Sequence, residues 1–142
     1  MLKLLFFAGL FSFQAFAVTP LLEKHVQSGL MVPENSFEYD CSINNDRHVV
    51  ITRREGIGTA HTHTHHISRA TRRNIRSLVH IAADGLISEA PVSCDGGDKL
   101  LYGFHHGEKF ILDEDLDCGT HKINRSQAAT ALKRIARRYC GF

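Results

Sequence analysis

Leu100-Leu101-Tyr102-Gly103-Phe104-His105-His106-Gly107-Glu108-Lys109-Phe110-Ile111-Leu112 reads as two β-strands folded about a tight turn. Apolar and aromatic side chains fill 100–104 and 109–112, and His105-His106-Gly107-Glu108 between them supplies the turn. Cys94 and Cys118 each stand twelve residues from His106. A hairpin centred there brings both to its open end, which predicts a Cys94–Cys118 disulfide. Cys41 is then left to Cys140, tying the C-terminal segment to an early strand. The alternative, a zinc site of four thiolates, lacks any Cys-x-x-Cys pair.

Residues 37–42 and 48–53 alternate apolar and polar positions around Asn44-Asn45-Asp46, which predicts a second hairpin. Residues 59–67 predict a further strand, in which Thr62 and Thr64 alternate with histidines. Ile75, Leu78, Val79 and Ala82 recur at helical spacing and predict an amphipathic helix ending at Gly85. Ser126 is the N-cap of a last helix, with Ala128, Leu132, Ile135 and Tyr139 inward and Gly141 as C-cap. Thr19-Pro20 before Leu21-Leu22-Glu23 predicts a short first helix that stops near Gly29. The expected order is α-β-β-β-α-β-β-α. The fold class is α+β, an antiparallel sheet of two hairpins plus a His/Thr-rich strand. Two amphipathic helices pack on one face, and two disulfides staple the whole.

The first 17 residues have the layout of a secretory signal. Lys3 gives one positive charge, residues 4–13 are apolar, and Ala15-Phe16-Ala17 is a signal-peptidase site. Cleavage after Ala17 leaves residues 18–142 as one exported domain, periplasmic or secreted, with no stable membrane anchor. An even number of cysteines in the mature part suits an oxidising compartment.

The formal charge of +2 hides an uneven distribution. Residues 47–80 hold seven Arg against Glu55, residues 84–118 hold nine acids against Lys99 and Lys109, and residues 119–142 hold six cations and no acid. One reading is an anionic partner held by Arg72, Arg73, Arg76 and the last helix. The plainer reading, preferred on sequence, is that the basic helix faces pair loosely with the acidic hairpin. No aromatic residues interleave the arginines, so a nucleic-acid partner is not expected.

His61-Thr62-His63-Thr64-His65-His66 is the most unusual local feature. On a strand, His61, His63 and His65 share a face, and imidazoles suit Zn or Cu. His66, His80, His105, His106 and His121 are available as further ligands, while the plain alternative is a solvated strand. The run partially resembles the His-x-His-x-Asp-His motif of metallo-β-lactamase-like hydrolases. His61, His63 and His66 match, and His65 stands where that family has Asp. The resemblance covers six residues, and the family's longer chain and later ligands have no counterpart, so no family is assigned. Asp113-Glu114-Asp115-Leu116-Asp117 is similar to the opening of a calcium loop, but Cys118 and Asn124 occupy the positions that need Gly and Glu. No catalytic constellation is complete, and four oxidised cysteines leave no thiol nucleophile. Asn124-Arg125-Ser126 has the form of a glycosylation sequon. The sequence therefore points to binding rather than catalysis, with another protein as partner. The disulfide-braced tip at His105 and His106 is the expected working surface. A metal-binding protein or small metalloenzyme on the histidine strand is the rival.

Overall fold

The computed structural model of the chain describes residues 18–29, 32–92, 94 and 96–141. The proposed signal at 1–17 lies outside the described residues. The strands are β1 (Pro20–Ser28), β2 (Phe37–Asn44), β3 (His48–Glu55), β4 (His61–His66), β5 (Ile87–Pro91), β6 (Gly97–His105), β7 (Glu108–Asp115) and β8 (Thr120–Asn124). The helices are α1 (Arg69–Ala83) and α2 (Gln127–Cys140). All eight strands form one antiparallel sheet in the order β4-β3-β2-β1-β6-β7-β8-β5. Two meanders, β1–β4 and β6–β8, therefore meet at the β1–β6 pair.

Both expected hairpins form. The second turns on His106 and Gly107, whose φ values of 52° and 83° place both in the left-handed region that a two-residue hairpin loop requires. Cys94–Cys118 and Cys41–Cys140 are the disulfides, as the spacing about His106 predicts. Ser68 and Ser126 cap the helices, their hydroxyls accepting from the amides of Thr71 and Ala129 at 3.0 and 3.1 Å.

Residues 20–28 correct the sequence reading, for they form a strand and not a helix. Thr19-Pro20 does resemble a helix start. The same stretch, however, alternates with period two, and Leu22, Lys24 and Val26 face the helices while Glu23, His25 and Gln27 face away. Pro20 opens the strand, where its missing N–H costs least. Strand β1 is hydrogen-bonded to β2 on one side and β6 on the other. Helix propensity differs by only a few tenths of a kcal/mol per residue, too little to resist two ladders and the burial of Leu22. Strands β5 and β8, five residues each, add an edge that the two-hairpin reading lacks.

The register sets rows of side chains across the helix-covered face. One row runs His65, Val49, Ile43, Leu22, Gly103 and Phe110, and the next runs His63, Ile51, Cys41, Lys24, Leu101 and Asp113. Leu22, Ile43 and Val49 meet Ile75 and Val79 of α1 and Leu132 and Ala136 of α2 in one core. Each large apolar side chain buried there contributes about 1.5–3 kcal/mol. In β7, Asp113 pairs with Leu101 and Ile111 with Tyr102, so Leu112 is an extra, bulged residue. It is fully buried.

Asn124 is the buried polar hinge between α1, β8 and α2. Its Nδ2 donates to the Ala82 carbonyl at 2.8 Å, and its Oδ1 accepts from the Ser126 amide at 3.0 Å. A side chain only 1% exposed is no substrate for glycosylation in the folded chain. Replacing it leaves a helix-end carbonyl and an amide unmet, each costing about 1–3 kcal/mol. Asn124→Ala should therefore destabilise the fold by about 2–4 kcal/mol in urea unfolding, and a loss below about 0.5 kcal/mol would contradict this placement.

Candidate functional site

The two helices form a cationic layer. Arg69, Arg72, Arg73 and Arg76 lie on α1, and Lys133, Arg134, Arg137 and Arg138 on α2, with no acid in either helix. The core requires Ile75, Val79, Ala82, Ala128, Leu132 and Ala136 inward, so Arg69, Arg73, Arg76, Arg134, Arg137 and Arg138 turn outward, while Arg72 and Lys133 are half-buried. Among the described residues none of these seven guanidiniums pairs with a carboxylate. Arg72 donates to the Asn45 carbonyl at 3.2 Å, and Arg138 lies over the Tyr139 ring. Lys133 reaches a carboxylate, Asp113, at 3.7 Å. Of the expected loose pairing between the basic helix faces and the acidic hairpin, the Lys133–Asp113 contact is the one that forms among the described residues.

Beside α2, a cleft of about 440 Å³ opens between the helix and the sheet. Val26, Phe37, Leu101 and Ala136 give it apolar walls, and Lys24, Lys99, Lys133 and Arg137 line it with cations. Lys24 Nζ donates to the Gly141 carbonyl at 2.6 Å. Burial first, and then the Arg137 guanidinium, hold the Lys24 ammonium below the usual lysine value. A half-buried cation beside a second cation favours the arrival of negative charge. Two carboxylates share the cleft, Asp113 and Asp115. Asp113 is engaged by His121 Nε2 at 2.8 Å as well as by Lys133.

The alternation of β7 sends Asp113 and Asp115 to the helix side and Glu114 to the other. These carboxylates therefore do not converge as a calcium loop would need. Glu114 accepts from the Tyr102 hydroxyl at 2.7 Å and from Lys122 at 3.2 Å. The Tyr102 bond, with help from Lys122, holds the Glu114 carboxyl below its ordinary value, although burial works against it. Burial, then the bond to Glu114, pushes the Tyr102 phenol up to about 12.

His61, His63 and His65 share the helix side, opposite Arg53, Ile51 and Val49, while His66 lies on the other face beside His48. His65 stacks on Tyr139 of α2, with ring centroids 6.4 Å apart. The run is an edge strand, and polar side chains on both of its faces blunt edge-to-edge pairing. Its imidazoles do not gather with other donors into a three-ligand set; among the described residues only Cys94/Asp117/Cys118 and His25/Glu38/Asp40 do so. The first of these contains the disulfide. At the hairpin tip, His105 meets His80 of α1 at 3.1 Å and lies tilted against the His106 ring, so the tip is tied to the end of the cationic helix.

Sequence reasoning reached the arginines but missed Lys24, His25 and the Asp113–His121 pair. The alternation of Leu22, Lys24 and Val26 was the available signal for the first two. No family model, curated protein or solved structure matches the chain.

The Glu114 bonds have a definite pH signature. A carboxyl with a lowered folded-state value contributes stability above its unfolded value near 4.5, and loses it as pH falls through the folded value. Glu114→Gln should cost about 1–2 kcal/mol at pH 7. Urea unfolding across pH should show the gap to wild type closing below pH 4.5, and a gap that persists unchanged in acid would contradict it.

Proposed function

We propose that the chain is an exported binding protein that recognises an acidic segment of another protein through its helix layer. The single observation that carries this reading is the set of seven helix arginines without a carboxylate partner among the described residues. Solvated arginines that merely keep a protein soluble are ordinarily interspersed with acids. A one-sign layer instead steers and holds an opposite charge.

The cleft beside α2 supports an apolar anchor within that acidic segment, because its walls are apolar and its cations stand around them. Arg72, Arg73 and Arg76 then hold the charged part of the ligand. The tip at His105 and His106 extends the same surface from the end of α1. Binding rather than catalysis is favoured because Asp113 and His121, the one acid–imidazole pair in the cleft, adjoin no nucleophilic hydroxyl or thiol among the cleft residues. Export draws support from the apolar run at 4–13 and from two disulfides with no free cysteine.

The test is fluorescence anisotropy with a labelled Glu-rich peptide carrying one Phe. Its affinity should fall steeply with added salt. Arg73→Glu with Arg76→Glu and Arg134→Glu should weaken it by about tenfold or more, corresponding to roughly 1.4 kcal/mol. Affinity unchanged by these reversals, or insensitive to salt, would overturn the reading.

A further inference from the structure

The sheet face away from the helices gathers a different set of polar side chains. On it His25 of β1 pairs in register with Asp40 of β2, and Gln27 with Glu38. Glu38 and Asp40 are two positions apart on β2, so both carboxylates point the same way. His25, Glu38 and Asp40 each offer a ligand atom, and all three atoms lie within 4.8 Å of one another. His25 Nδ1 stands 2.6 Å from Asp40 Oδ1. The cluster borders a concavity of about 310 Å³, which His25 and Asp40 line together with Glu23, Ser42 and Thr52.

We propose that His25, Glu38 and Asp40 form a binding site for a divalent first-row transition cation. One imidazole with two carboxylates is a borderline-to-hard donor set, suited to Zn(II), Co(II) or Mn(II) rather than to a thiophilic ion. The donors come from paired strands at the middle of the sheet, so their spacing is fixed by the backbone ladder. Water completes the coordination from the open side. Arg54 Nη1 lies 3.3 Å from Glu38 Oε2 and competes with the cation for that carboxylate. The metal chemistry that the histidine-rich β4 suggests is thereby assigned to a different strand, in which a single histidine is joined by two acids.

Titration of the disulfide-bonded protein with Co(II), followed by visible absorption, tests the site, with Zn(II) competition giving the affinity. One equivalent per chain should bind. His25→Ala and Asp40→Asn should each weaken binding by about tenfold or more, with far-ultraviolet circular dichroism confirming that the variants fold. Arg54→Gln should tighten it, since it removes the competing cation. The triple variant His61→Ala, His63→Ala, His65→Ala should bind as wild type does. No saturable binding in wild type, or binding lost only in that triple variant, would overturn the proposal. If His25→Ala fails to fold, Asp40→Asn and Arg54→Gln decide in opposite directions, and no change in either would overturn it equally.

Discussion

The structure depends on β1 being paired along both edges. It is the seam between two meanders, and without it β2–β4 and β6–β8 would each present an open edge. Its two ladders also fix which way each side chain points. Lys24 enters the cleft beside α2, and His25, the next residue, stands on the opposite face beside Asp40. A slip of one residue would exchange these sets and expel Leu22 from the core. Both candidate sites and the core therefore rest on one register.

From that register follows a molecule with two chemically different faces. The helix side collects eight cations on α1 and α2 without an acid among them. The open side instead mixes both signs, with Glu38 meeting Arg54 and Glu114 meeting Lys122 beside His25 and Asp40. The near-neutral total thus hides the one-sign helix layer. Cys41–Cys140 fastens α2 to β2 across a sequence separation of 99 residues. By the chain-entropy account, closing a loop of that length stabilises by roughly 4–5 kcal/mol. The cationic layer is thereby held against the sheet at the end where Lys24 meets Gly141.

Much of this fold is legible in the sequence, because its clearest elements are local. The hairpin about His106, the helix carrying Ile75, Leu78, Val79 and Ala82, the helix capped by Ser126 and the cysteine pairing all follow from spacing within short windows. Strand β1 is not legible in that way. Its first residues carry a helix-start signal, and its strand character is set by β6, some eighty residues on. Strand β8 is short, and its sequence has no turn-bounded run of β-branched residues to announce it. The candidate sites divide likewise. Individual arginines are visible as a charge block, but their lack of carboxylate partners among the described residues is a three-dimensional fact. His25 and Asp40 are fifteen positions apart and become neighbours only through the β1–β2 ladder. The histidine run drew the eye for its composition, although an edge strand spreads those imidazoles along its length.

Residue-resolved amide hydrogen exchange reads directly whether β1 is an interior strand. Amides of Leu22, Lys24 and Val26, and of the intervening His25, should open only with global unfolding, as the core of α2 does. Their protection should match that of Ile43 on the neighbouring strand. Exchange in β1 as fast as in the loops, or protection confined to one side of the stretch, would contradict the register. The assignment of Lys24 and His25 to opposite faces would fall with it.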